Sequence, residues 1–211
     1  EFDLNGGGDG LVVDGISYTF PLGSGTAFVG DNTDGSMLFT TACVYGGPSN
    51  TLDDCANVTA GITGGGVSFG AAYDFGNGIS TAAGAQFTET GIATKEAADS
   101  YALNAAYTAD SYGVSVTYGV VETTTTNENT FTAFNAYYLP EGAGLPSLSV
   151  GYEIGEDDSA AAAADEYTNV FAGLRWDEAG PGTLGLGMGT RVNTVEDTDA
   201  QYQYEAFYEY P

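Results

Sequence analysis

The sequence predicts an all-β protein, a transmembrane antiparallel up-and-down β-barrel. Three observations predict this fold class. Apolar and polar residues alternate with the period of two that strands impose, the connections alternate between short and long, and aromatic residues cluster beside the short connections. About eleven such segments can be counted, each about nine to eleven residues long, which is the length that a tilted strand needs to cross the hydrocarbon layer.

The alternation is clearest in residues 99–122. Apolar residues occupy odd positions before Asp110 and even positions after Ser111. A two-residue hairpin loop pairs residues whose numbers have a constant sum, so this change of parity keeps the apolar side chains on one face. The stretch is therefore predicted to be a hairpin with one apolar and one polar face. A soluble sandwich, with the apolar face as its core, is the alternative.

The other predicted strands follow the same rule along the chain. In the segment 147–154, for example, Leu148, Val150, Tyr152 and Ile154 alternate with smaller or polar residues. The predicted strands are residues 11–20, 26–30, 67–75, 79–87, 99–109, 112–122, 131–138, 147–154, 170–176, 184–191 and 200–210.

The connections decide between a barrel and a sandwich. Short connections follow Phe20, Phe75, Ala109, Tyr138 and Trp176, and long ones follow Gly30, Phe87, Val121, Ile154 and Arg191. A sandwich has no reason to keep its long loops at one end. A membrane barrel does, and it also carries aromatic girdles at the interfaces. The predicted girdle consists of Phe20, Tyr73, Phe75, Tyr107, Tyr112, Tyr138, Trp176, Tyr208 and Tyr210.

The charge of the chain limits its partners. Its 211 residues contain three Lys and Arg against 29 Asp and Glu, a formal net charge of −26. Such a surface repels phosphate backbones, so nucleic acid is not expected to bind. No apolar run is long enough for a transmembrane helix.

The chain contains no His, which removes catalytic triads and most general-base schemes. We therefore expect no catalytic residues and no enzymatic activity. The acidic clusters 53–54, 156–158 and 165–166 lie in predicted loops and are interpreted as solvated; Ca²⁺ or Mg²⁺ bridges between loops are the alternative. No resident metal or other cofactor is expected.

The two cysteines, Cys43 and Cys55, lie in one predicted loop. Two Cys without His make a poor zinc site. A disulfide formed in an oxidising compartment is the preferred interpretation.

The polar face of the predicted strands is where a channel lining is expected. The residues assigned to it by parity are Asn104, Ser115, Thr117, Glu153, Arg175, Arg191, Gln201, Glu205 and Glu209. Arg175 and Arg191 are two of the three basic residues. Two interpretations stay open: they face acidic residues across the lumen and create a transverse field, or they only neutralise neighbouring acids.

An odd number of strands cannot close a single-chain bacterial barrel. Each unpaired amide of an open edge in lipid costs several kcal/mol. We therefore expect residues 1–211 to be an incomplete barrel domain, with strands missing after Pro211 and before Glu1.

Five stretches, residues 28–58, 71–80, 103–119, 149–155 and 203–211, resemble the outer-membrane porins of marine picocyanobacteria. Those porins are related to carbohydrate-selective porins and are often labelled iron-uptake porins. The resemblance implies the outer membrane, a barrel of about 16 strands in the range of bacterial porins, and a homotrimer. It also implies an N-terminal domain, absent from this chain, that binds the peptidoglycan wall.

The predicted function is a porin that lets ions and small hydrophilic solutes diffuse passively. The alternative is a non-conducting surface barrel that acts as an adhesin or phage receptor through its acidic loops.

Overall fold

A computed structural model describes residues 2–3, 12–13, 15–49, 52–63, 66–87, 99–122, 128–142, 144–157, 165–190 and 194–210. The strands are β1 (Phe2–Asp3), β2 (Val12–Val13), β3 (Ile16–Leu22), β4 (Gly25–Asp31), β5 (Val67–Gly76), β6 (Ile79–Phe87), β7 (Asp99–Thr108), β8 (Tyr112–Glu122), β9 (Glu128–Tyr138), β10 (Ser147–Asp157), β11 (Glu166–Ala179), β12 (Gly182–Thr190), β13 (Thr194–Val195) and β14 (Tyr202–Glu209). Among these described residues, no helix is long and apolar enough to cross a membrane.

The strands form one antiparallel up-and-down sheet. Its path runs from β3 to β12 in chain order and then to β14, while β13 pairs with β11 and the ribbon β1–β2 is separate. Each of the eleven strands of this path overlaps one that the sequence predicts, and the predicted fold class is confirmed. The first predicted strand, 11–20, is wrong at its start, because β3 begins at Ile16 and Val12–Val13 pair with β1 instead. In the described part of the chain the sheet is open, because its path ends at β3 and at β14.

The hairpin β7–β8 has the predicted register. Leu103 pairs with Tyr118 and Tyr107 with Val114, and the N–H of Ala109 donates to the carbonyl of Tyr112 across the turn at 2.8 Å. Leu103 is 61% exposed whereas Asn104 is 4% exposed. The apolar face therefore faces outward and the polar face is covered, which is the reverse of a soluble sandwich.

The outer face, defined as the face that carries Leu103, is apolar along the whole sheet. Large side chains such as Phe134, Val150 and Leu186 are exposed on it. Soluble monomers rarely expose so continuous an apolar surface, so this surface suits lipid. The nine predicted girdle residues lie on the strands or beside the turns as expected; Phe20, Tyr107 and Trp176 are half-buried and the other six are exposed. Their position at a lipid interface stays a prediction.

The alternation of short and long connections is broken at one place. The connection 139–146, predicted to be short, is longer than the connection 123–127, predicted to be long. The reason is that β8 and β9 stay paired along their length as far as Glu122 and Glu128, next to the connection 123–127. The hairpin extends further than its apolar pattern, since polar residues also pair in a ladder.

Candidate functional site: the inner face and the inward segment

The described residues of the connection between β4 and β5, namely 32–49, 52–63 and 66, lie against the inner face of the sheet; we call them the inward segment. Four of its backbone N–H groups donate hydrogen bonds to side chains on four different strands of the sheet. The bonds are Gly35 N to Gln86 Oε1 on β6 (3.0 Å), Thr40 N to Asn104 Oδ1 on β7 (3.0 Å), Ala42 N to Ser115 Oγ on β8 (2.9 Å) and Val44 N to Ser149 Oγ on β10 (3.0 Å). Buried N–H groups need acceptors, so these polar side chains make the position of the segment possible.

The first four predicted lining residues require a correction. Asn104, Ser115, Thr117 and Glu153 are on the inner face, as parity predicts, but all four are buried beneath the inward segment. They do not form the surface of an open lumen. Their hydrogen-bonding groups serve the inward segment instead, because a chain without strand partners must find acceptors elsewhere.

Glu153 is the most heavily used of these residues. It is 1% exposed. Its Oε2 accepts the N–H groups of Thr59 and Ala60, both at 2.9 Å, and its Oε1 accepts Nδ2 of Asn169 at 3.0 Å. Hydrogen bonds to a charged acceptor are stronger than neutral ones. This carboxylate on β10 therefore fixes the second half of the inward segment to the wall.

Tyr45 fixes the first half of the segment. Its ring is 1% exposed and packs edge-on against Phe171 and Phe207, with ring centroids 5.1 and 5.6 Å away. Its hydroxyl donates to Glu205 Oε1 on β14 at 2.9 Å. Burial, followed by the Glu205 carboxylate, raises the pKa of the Tyr45 phenol, so the phenol remains a donor.

Glycines on the inner face of β11 and β12 make room for this ring. A Cβ atom at Gly173 would lie 2.5 Å from Tyr45 Cδ2, and one at Gly187 would lie 2.5 Å from the Tyr45 hydroxyl. Both distances are far below van der Waals contact. Gly187, together with Gly189 beside Leu52, therefore accommodates the inward segment on β12.

The disulfide predicted from the sequence is present. Cys43 and Cys55 are joined, with their Cα atoms 6.4 Å apart. The bond connects the two halves of the inward segment, the one fixed by Tyr45 and the one fixed by Glu153. Asn135 Nδ2 on β9 also donates to the carbonyl of Cys55 at 2.7 Å.

Replacing both cysteines by serine is expected to destabilise the docked segment. A cross-link that closes a loop of this size contributes about 3 kcal/mol, by restricting the unfolded chain. We expect the Cys43→Ser/Cys55→Ser protein to unfold at a lower urea concentration than the oxidised wild type. Adding a reductant should lower the midpoint of the wild type and leave that of the double variant unchanged; an equal response of both would contradict the prediction.

The predicted role of the basic residues is only partly addressed by the structure. Arg175 Nε donates to Asp177 Oδ1 at 2.7 Å, and its Nη1 donates to the carbonyl of Tyr45 at 3.2 Å. Its charge is thus engaged by its own strand and by the inward segment. Arg191 lies outside the described residues, and the transverse field remains a hypothesis.

The last three predicted lining residues lie on or beside β14. Glu205 is half-buried beneath Tyr45, whereas Gln201 and Glu209 are exposed. Of these three residues, only Glu205 therefore contacts the inward segment, through the Tyr45 hydroxyl.

Sequence reasoning missed several residues that hold the segment, among them Gln86, Asn135, Ser149 and Asn169. Each of them is a polar residue on the inner face, so parity alone was a signal for them. Tyr45 and Asn57 lie in residues 31–66, which the sequence predicts only as a long loop without strand alternation, so parity gives no signal for them.

Comparisons with known proteins identify the fold. No protein-family model and no curated protein matches the sequence. Among solved structures, the outer membrane channel DcaP of Acinetobacter baumannii superposes with a TM-score of 0.55 at 11% identity, over 92% of this chain and 62% of that one. The anion-selective porin from Comamonas acidovorans gives 0.51 at 15% identity, over 92% and 59%.

The chain has the fold of an outer-membrane porin barrel. OmpT of Vibrio cholerae, an outer membrane protein solved in a trimer form, also superposes on the chain, with a TM-score of 0.53 at 15% identity over 99% of this chain and 84% of that one. The chain spans about three fifths of the first two structures, 62% and 59% of their lengths. Within this porin fold, the inward segment occupies the side of the sheet opposite the exposed apolar surface.

Proposed function

We propose that the chain is part of an outer-membrane porin that lets ions and small hydrophilic solutes diffuse passively. One observation carries the proposal: the sheet is apolar and exposed on its outer face, while its inner face carries polar side chains such as Asn104, Ser115 and Glu153 among smaller apolar patches. A wall with this asymmetry suits lipid outside and water inside. The inward segment would narrow the aqueous path, and the polar atoms that it leaves exposed would contact the passing solute.

The charge of the chain supports a preference for cations. The net charge is −26, and the one described basic side chain, Arg175, is paired with Asp177. Rings of acidic side chains favour cations in a channel. Because the anion-selective porin from Comamonas acidovorans has the same fold, the proposed cation preference is argued from the residues of this chain and not from its fold.

The transported solute, the oligomeric state and the attachment to the cell wall are also proposals. The resemblance to picocyanobacterial porins supports ion or carbohydrate transport, a homotrimer, and attachment to peptidoglycan through an N-terminal domain outside this chain. The trimer form of Vibrio cholerae OmpT is consistent with a homotrimer.

Planar bilayers test the proposal. The full-length protein is expected to produce stepwise increases in current at fixed voltage, and a salt gradient should give a reversal potential of the sign that indicates cation preference. The same preparation, heat-denatured before addition, is the control. Detergent-folded protein that inserts without producing current steps would contradict the porin proposal.

A further inference from the structure

The second half of the inward segment contains backbone strain. Cys55, Ala56 and Ile62 have φ angles of 53°, 59° and 42°, in the left-handed region that residues other than Gly, Asn and Asp rarely adopt. Such residues persist only where the surrounding structure holds them, and they are frequent in segments that change conformation. The contacts around these residues must therefore hold this half in place.

Cys55 and Ala56 are the two central residues of a tight turn. The N–H of Asn57 donates to the carbonyl of Asp54 at 3.0 Å, and both central residues have positive φ angles, as in a type I′ turn. Asn and Gly normally occupy these positions, because a larger side chain crowds the backbone there. This turn, residues 54–57, therefore stores strain that its sequence does not relieve.

The strained turn is held through Cys55. Its Sγ is bonded to Cys43 of the first half, and its carbonyl accepts Nδ2 of Asn135 on β9 at 2.7 Å. The first half is itself fixed to the wall through the bond from Tyr45 to Glu205. The disulfide therefore couples the strained turn to a separate anchor.

The two cysteines differ in accessibility. Cys55 is 0% exposed, whereas Cys43 is half-buried and lines a cavity of about 280 Å³ formed by residues of both halves. A small thiol in this cavity is therefore expected to attack Cys43 and to expel Cys55 as the leaving group. Cys55 Sγ lies 3.7 Å from the carbonyl oxygen of Asp53, so the thiol that forms on protonation has an acceptor.

We propose that the Cys43–Cys55 disulfide is a thiol-sensitive latch, and that its reduction narrows the aqueous path; the second part rests on the proposed porin function. One molecule of a low-molecular-weight thiol forms a mixed disulfide with Cys43 and leaves Cys55 as a thiol. A second molecule releases Cys43 as a thiol, and the two reagent molecules leave as their own disulfide. The turn then relaxes to negative φ, which moves the Cys55 carbonyl away from Asn135.

The direction of this movement follows from the residues on either side of the turn. Leu52 is 1% exposed and packs in one cluster with Phe171, and the N–H groups of Thr59 and Ala60 stay bound to Glu153. A short turn that is held at both ends against the wall can move only away from it. The relaxed turn therefore extends into the interior.

Hydrogen exchange of the folded protein, before and after treatment with dithiothreitol, tests the latch without requiring conduction. The Asn57 amide closes the turn, so its exchange should accelerate by roughly tenfold or more on reduction, while the amides of Thr59 and Ala60 stay protected. The Cys43→Ser/Cys55→Ser protein should show the fast rate with and without the reagent. Unchanged protection of Asn57, once two free thiols have been titrated in the wild type, would overturn the proposal.

A glycine substitution examines the strain separately. Ala56→Gly relieves the positive φ at one position, so more of the turn should stay docked after reduction and the Asn57 amide should respond less than in the wild type. Asn77→Gly makes the same kind of change at a φ of 54° in the exposed β5–β6 turn; as the matched control, it should respond like the wild type. An equal response of Ala56→Gly would overturn the proposal.

Planar bilayers connect the latch to the pore. Dithiothreitol should lower the single-channel conductance of the wild type and leave that of the double serine variant unchanged. An equal or higher conductance of the reduced wild type would overturn the proposal. If the porin proposal fails instead, no current steps appear in either redox state, while exchange of the Asn57 amide still accelerates on reduction.

Discussion

Glu153→Gln is expected to release the second half of the inward segment from the wall. The substitution replaces one of the two carboxylate oxygens by an amide NH2 group, so a donor faces either the N–H groups of Thr59 and Ala60 or Nδ2 of Asn169, and the oxygen that remains is a weaker, uncharged acceptor. Leaving buried donors unsatisfied costs about 1–3 kcal/mol each. Hydrogen exchange of these two amides is therefore expected to accelerate by roughly a hundredfold.

The control for this variant lies on the same strand. Glu156→Gln neutralises an exposed carboxylate at the end of β10, so it changes the charge by the same amount without touching the segment. Its exchange rates should match those of the wild type. If Thr59 and Ala60 stay protected in Glu153→Gln, the carboxylate does not hold the segment. In bilayers, release of the segment should also increase the single-channel conductance relative to Glu156→Gln.

Tyr45→Ala is expected to have the largest effect on stability. The substitution empties the space between Phe171 and Phe207 and removes the hydroxyl bond to Glu205. Truncating a buried aromatic ring to Ala costs about 3–5 kcal/mol. Urea unfolding in lipid vesicles and limited proteolysis should show a lower midpoint and faster cleavage within residues 32–66.

Two variants separate the contributions of the Tyr45 ring and its hydroxyl. Tyr45→Phe keeps the ring and loses only the hydrogen bond, so its cost is expected to be about 1–2 kcal/mol. Gly187→Val keeps Tyr45 but places a Cβ atom 2.5 Å from its hydroxyl, so it should resemble Tyr45→Ala. Equal, small effects of all three substitutions would show that the ring does not anchor the segment.

The strands and their register were predictable because each depends on local information. The parity change around Asp110 fixed the pairing of Leu103 with Tyr118, and a period of two fixed which side chains face outward. The outward exposure of the apolar face could also be predicted, because the strand lengths and the alternation of short and long connections indicate a membrane barrel. The predicted disulfide needed only two cysteines and no competing ligand.

The position of the inward segment was not predictable by the same reasoning. Nothing in the local pattern of residues 32–66 distinguishes a loop in water from one that crosses the inner face. The difference comes from contacts distant in sequence, such as the pairing of Tyr45 with Glu205. The small residues of β12 likewise give no local signal of what fills the space beside them; at Gly187 that space holds the aromatic ring of Tyr45.

The distances along the chain between the inward segment and its anchors have a consequence for folding. Thr40 binds a residue 64 positions later, and Tyr45 binds one 160 positions later, whereas the two cysteines are separated by only 12. Entropy delays contacts between distant residues, so the cross-linked loop forms before its binding surface exists. Docking of the loop is thus expected to follow the pairing of the strands that bind it.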